Sequence, residues 1–206
     1  MDDVRELHAL QRDALREVAN IGAGHAATAL SQLTNRRIMI SVPEVNIVRL
    51  EEVPDILGKA DDVVAAVLMH MMGDLTGRTL VLFPEECART VCDILLRRPL
   101  GTTTGFEAME QSGLKEVGNI LSSAYLNALS DFMGMMLVPS VPSLAIDLAG
   151  AVLTSIYMNF GYDRDYVFCV ETRFLFEDPN LKLRGHFLLL PDLASLRAIF
   201  DAIRLP

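Results

Sequence analysis

The sequence predicts an α/β domain made of two pseudo-symmetric halves, about 1–100 and 101–206, and three observations carry that prediction. A long segment recurs without gaps. The strand-like runs are apolar on both faces, which calls for helices over the sheet. And 51% of the 206 residues are hydrophobic against 22% charged, enough to fill one substantial core and too many for a disordered chain.

The repeat aligns LREVANIGAGHAATALSQLTNRRIMISVP, starting at Leu15, with LKEVGNILSSAYLNALSDFMGMMLVPSVP, starting at Leu114, 99 residues on. Leu15, Glu17, Val18, Asn20 and Ile21 recur as Leu114, Glu116, Val117, Asn119 and Ile120. Ala29-Leu30-Ser31 recurs as Ala128-Leu129-Ser130, and Ser41-Val42-Pro43 as Ser140-Val141-Pro142. Internal similarity at a fixed period outranks any local pattern in deciding a fold. It continues weakly in Gly77, Arg89 and Asp93 against Gly185, Arg197 and Asp201.

The elements follow in order. Asp3 to Leu33 reads as one long helix, with Gly22 and Gly24 the place where it could relax. Arg37 to Arg49 reads as extended. Val63 to Met72 and Arg78 to Phe83 are rich in Val, Leu and Met and read as strands. Pro84 to Leu96 reads as a helix opened by a proline, whose missing N–H costs nothing in a first turn. The second half predicts a helix over Gly105 to Phe132, strands near Met135 to Val138, Ile146 to Met158, Tyr166 to Phe176 and Leu183 to Leu190, and a helix over Asp192 to Ile203. The junction RRPLGTTTG (Arg97 to Gly105) is short and turn-like, so residues 1–206 are expected to form a single domain. Gly134 to Leu153 is apolar enough to test as a membrane span, but Pro139, Pro142 and Asp147 interrupt it, and buried strands are expected there.

On a helical wheel, Ala14, Leu15, Val18, Ile21, Gly22, His25, Ala26, Ala29 and Leu33 fall on one arc, expected to face the core. Asp13, Glu17 and Asn20 fall within about 60° of one another on a different, polar side, and Gly24 and Ser31 continue that stripe. Ser112, Glu116 and Asn119 repeat it. An E-x-x-N pair on one exposed helix means nothing alone. Surface positions nearby have drifted between the copies, as Arg16 to Lys115 and Thr28 to Asn127, whereas the Glu/Asn pair has not. That contrast favours a functional role for the pair over a structural one.

This pattern, [D/S]-x3-E-x2-N repeated about 100 residues apart and followed in the first half by IGAGHAATALSQL, resembles the CheC/CheX/FliY family of chemotaxis phosphatases. Two copies in about 200 residues without a flagellar-switch tail is the CheC-type arrangement, CheX-type members having one copy. In the second copy Leu121 and Ser123 replace Gly22 and Gly24. The resemblance implies a CheC-like pseudo-two-fold domain with a central, mostly antiparallel sheet flanked by helices. It implies hydrolysis of the aspartyl phosphate of the response regulator CheY, with Asn20 and Asn119 orienting the attacking water and Glu17 and Glu116 pairing with a basic group of the receiver. Asp13 and Ser112 would be secondary contacts or local orienters. An amide suits the role: it is neutral toward an anionic phosphoryl group and offers both a donor and an acceptor to a water. No cofactor is expected on this chain; Mg2+ is expected on the receiver. The resemblance also implies the chemoreceptor deamidase CheD as a partner. The rival expectation is a non-enzymatic module that docks CheD or a flagellar motor component.

Other features weigh against other classes. The net charge of -9 and the lack of a basic stripe disfavour nucleic acid and anionic membrane surfaces. Three cysteines without CxxC, and an acidic amphipathic N-terminus unlike a signal peptide, point to the cytoplasm. The four histidines form no HExxH or close cluster, and His25 is expected in the core. Gly22-Ala23-Gly24 lacks a following GK[ST] and is no phosphate loop; close helix packing or partner access explains it better. Neither copy offers a nucleophile–base pair, so no covalent intermediate is expected. Methionines such as Met69, Met71 and Met72 are expected to fill core.

Overall fold

The computed structural model describes residues 9–42, 44–49, 52–53, 59–160, 166–176 and 181–203. The predicted first helix is present as α1, Ala9–Thr34, unbroken at Gly22 and Gly24; its predicted start, residues 3–8, lies outside the described residues, as does Pro43. Then come β1 (Ile38–Ser41), β2 (Val45–Arg49), β3 (Val63–Gly73), β4 (Gly77–Pro84) and α2 (Glu85–Leu95). The second half supplies α3 (Ala108–Met133), β5 (Leu137–Pro139), β6 (Ser143–Leu148), α4 (Ala149–Phe160), β7 (Tyr166–Phe176), β8 (Lys182–Pro191) and α5 (Leu193–Ile203). Helices α1 and α3 are both 26 residues long, and each boundary of α3 lies 99 residues after that of α1.

All eight strands join one sheet in the order β1-β7-β8-β4-β3-β5, with β2 also on β7 and β6 also on β3. Every described pairing is antiparallel. The halves interleave: β1 and β2 pair with β7 of the second half, β5 and β6 with β3 of the first, and β4 meets β8 at the centre.

Alternate strand residues serve two cores, which is why the runs read as apolar on both faces. Ala65, Val67, Val81, Phe83, Phe168, Val170 and Phe187 pack with residues of α1, α2, α3 and α5. Val64, Ala66, Leu80, Leu82, Val167, Cys169 and Leu188 pack against Ala149, Val152, Leu153 and Ile156 of α4 on the opposite face. Those four α4 residues, at i, i+3, i+4 and i+7, correct one expectation: the predicted strand Ile146 to Met158 is strand only to Leu148 and helix thereafter. The segment is apolar all round, so β-branched and aromatic residues suggested a strand while the helical spacing lay hidden among equally apolar neighbours. The helix start is anchored by backbone bonds from Ala149 and Gly150 N–H to the carbonyls of Asp62 and Ala60. The buried strands expected within Gly134 to Leu153 are also corrected: β5 and β6 lie at the sheet margin, and β6 is at best half-buried along its length. No described helix is long and apolar enough to cross a membrane.

The methionines divide by strand parity. Met69 and Met71 are fully buried, while Met72 is 46% exposed. The junction between halves is fastened by Asp93 of α2, whose carboxylate accepts hydrogen bonds from Gly101 N (2.7 Å), Thr102 N (3.2 Å), Thr103 N (2.9 Å) and Thr103 Oγ1 (2.6 Å).

Two glycines set how closely the helices seat. A Cβ on Gly22 would lie 2.7 Å from Tyr125 Cδ1 and 3.2 Å from Ala124 O, so α1 rests on α3 there. A Cβ on Gly118 would lie 2.4 Å from Val67 Cγ1, so α3 rests on β3. Both helices must shift to admit a methyl, at a cost of roughly 1–3 kcal/mol. Gly22→Ala and Gly118→Ala are therefore each expected to lower the urea midpoint without changing the m-value, as read by equilibrium unfolding.

Candidate functional site

Helix α1 buries its small residues. Leu15, Val18, Ala19, Ala23, Ala26, Ala27 and Leu30 are all buried. This arc is rotated from the expected one, and three expectations are corrected: Ile21 is 45% exposed, Leu33 is 42% exposed, and His25 stands in solvent instead of the core. The wheel weighted large side chains, but close packing on Tyr125 and Ala124 selects the alanine-and-glycine side.

The rotation leaves Asp13, Glu17 and Asn20 outward, and all three are exposed. On α3, Ser112 and Glu116 are exposed and Asn119 is half-buried. Among the described residues none of these six side chains has a hydrogen-bond or ion-pair partner. Each helix thus holds a carboxylate and an amide one turn apart on an outward face, with their polar atoms unspent. The structure brings together Asp13, Glu17 and Asn20 along one helix, and Ser112, Glu116 and Asn119 along the other. The two helices lie on the same face of the sheet.

The rest of the polar stripe divides by role. Ser31 does not belong to the outward site: its hydroxyl donates to Ala27 O (2.7 Å) and accepts from Ile38 N (2.9 Å), tying β1 to the helix. Its counterpart Ser130 likewise donates from its hydroxyl to Met135 O at the exit of α3. Gly22 and Gly24 also part company. Gly22 is a packing glycine, whereas a Cβ on Gly24 would meet nothing within 4 Å. An exposed mid-helix glycine costs about 1 kcal/mol relative to alanine, and no packing at Gly24 offsets it. The sequence reading offered close packing or partner access for the Gly22-Ala23-Gly24 run without separating its two glycines, and it missed the exposure of Ile21 beside Asn20. Both trace to the arc's orientation.

The two buried thiols are poorly suited to nucleophilic chemistry. Burial, with smaller contributions from Glu110 and Asp93, pushes the Cys92 thiol up to about 12, and burial does the same at Cys169. Neither thiol ionises near neutral pH. What the two helix faces can do is present a neutral amide and a nearby carboxylate to another molecule.

The CheC-like family model matches residues 10–47 and again residues 109–146. Both matches contain the Glu/Asn pairs, and they are spaced as the internal repeat is. The chain is also 37% identical over 94% of its length, and 93% of the relative's, to the CheY-P phosphatase CheC of Bacillus subtilis. The chain belongs to the CheC-like family. Among solved structures, Thermotoga maritima FliY matches with a TM-score of 0.79 at 19% identity, over 96% of this chain and 98% of that one. The FliM middle domain of H. pylori matches with a TM-score of 0.68 at 13% identity, over 95% and 99%. The CheC-like fold is therefore shared with these FliY and FliM structures, and the fold alone does not select a chemistry. In this CheC-like chain the side chains that α1 and α3 turn outward are the candidates for that selection.

Proposed function

We propose that this chain is a phosphatase of phosphorylated CheY, acting through two helix faces, one with Glu17 and Asn20 and one with Glu116 and Asn119. The observation that carries the reading is the outward, unpartnered placement of a glutamate and an asparagine one turn apart on both repeated helices. The B. subtilis relative, a CheY-P phosphatase, supports the substrate.

In this reading the receiver supplies the labile acyl phosphate and its Mg2+, and this chain supplies a positioned water. The asparagine side chain enters the receiver's site. Its carboxamide oxygen accepts a hydrogen bond from the water while its N–H2 is free to donate, and the neutral group meets no repulsion from the phosphoryl oxygens. In-line attack on phosphorus breaks the P–O bond to the aspartate and yields inorganic phosphate. The glutamate pairs with a basic group of the receiver and fixes the register of entry. Asp13 and Ser112 act as secondary contacts at the N-terminal end of each face. The interleaved sheet supports residues 1–206 as one duplicated domain. A chemotaxis role in the cytoplasm, with CheD as a further partner, completes the proposal.

The division of labour is testable. Glu17→Gln with Glu116→Gln removes the charge and keeps the shape. KM for phosphorylated CheY is expected to rise about 10-fold, the size of one charge-assisted bond, with kcat within about threefold and a weaker dependence on salt. A fall in kcat at unchanged KM would assign the glutamate to the chemistry instead.

A further inference from the structure

Resting on the proposed phosphatase reading, we infer that Gly24 is a clearance position: its missing side chain leaves open the approach by which the partner's phosphorylated site reaches Asn20. Helical side chains lean toward the N-terminus, so a residue at i+4 covers the surface over residue i. Any side chain at position 24 would therefore project over Asn20. Nothing in the described residues stands within 4 Å of a Cβ built there, so the gap is not filled by this chain. The next residue along the stripe, Thr28, folds its hydroxyl onto the helix backbone, donating to Gly24 O at 3.0 Å, and no atom of its side chain comes within 4 Å of a Cβ built at position 24. The result is a bare strip of backbone directly C-terminal to the exposed amide.

The second helix supplies an internal comparison. Ser123 stands where Gly24 does, and there the asparagine, Asn119, is half-buried instead of exposed. The other paired glycine position gives no such freedom, since Gly22 is committed to Tyr125 and Ala124. Of the two glycines that the second copy lacks, one is spent on packing and the other on access.

The test uses the full chain with Asn119→Ala, so that phosphate release reports the Asn20 face alone. In that background Gly24→Ala is expected to raise Tm by about 2–4 °C while lowering kcat/KM for phosphorylated CheY about fivefold. Gly24→Leu is expected to lower kcat/KM at least about 100-fold, and to weaken binding of the beryllofluoride-loaded receiver by at least about 10-fold. Gln32→Leu, exposed on the same helix but off the stripe, is expected to change neither. Gly24→Leu that binds and hydrolyses like its parent overturns the inference, even if Asn20→Ala abolishes hydrolysis. If instead Asn20→Ala hydrolyses unimpaired while Gly24→Leu loses binding, the catalytic reading falls and the clearance role stands.

Discussion

Asn20→Ala combined with Asn119→Ala is expected to reduce phosphate release from phosphorylated CheY by on the order of 10²–10³-fold, with the fold intact. Removing a group that positions the attacking water takes away about 3–4 kcal/mol of transition-state stabilisation. The spontaneous rate of the acyl phosphate remains as a floor. Neither amide has a partner among the described residues of this chain, so truncation leaves no buried donor or acceptor stranded. The urea midpoint should therefore stay close to that of the parent. Binding of the beryllofluoride-loaded receiver should also survive, because the glutamates proposed to dock it remain. Each single variant should retain hydrolysis from the untouched face. A double variant that turned over at the parent's rate would leave the amides with no part in the reaction.

The largest expected loss of stability lies elsewhere, at Asp93. Its carboxylate is fully buried and collects Gly101 N, Thr102 N, Thr103 N and Thr103 Oγ1, closing the junction between the two halves. Asp93→Ala strands those donors and is expected to cost about 3–4 kcal/mol at pH 7, read as a fall in the urea midpoint. Burial by itself would push the carboxyl up, but the Thr103 hydroxyl and the three backbone N–H groups outweigh it and hold the group below the ordinary carboxylate range. A depressed native pKa means that the contribution is complete above the unfolded-state value of about 4 and is lost as pH falls through the lower native one. The stability gap between parent and variant should therefore be flat from pH 7 to 5 and close only below about pH 4. A gap that closed between pH 7 and 6 would point to a different group.

Much of this was legible in the sequence because duplication supplied its own control. Asn20 and Asn119 stood out against drifted neighbours, and the structure leaves both reachable. Strand positions were readable from their uniform apolarity, which the two cores on opposite sheet faces explain. What could not be read was rotation about a helix axis. Alanines and glycines carry little hydropathic weight, so nothing in the composition of α1 showed that Ala19, Ala23 and Ala27 would be buried ahead of Ile21 and His25. That depended on how closely Gly22 lets α1 approach Tyr125, a tertiary fact. The same limit hid α4, whose buried positions Ala149, Val152, Leu153 and Ile156 differ little in hydropathy from the residues between them. The roles of Ser31 and Ser130 were likewise invisible, since each depends on the chain that turns back after its helix.

The central claim is that Asn20 and Asn119 serve turnover and not mere docking. Phosphate release from a large excess of phosphorylated CheY over the chain tests it most directly. The account predicts that a substoichiometric amount of chain clears the whole pool, many phosphates per molecule, at a rate well above spontaneous decay. Binding of the phosphorylated receiver with no rise in phosphate release over its spontaneous rate would contradict it.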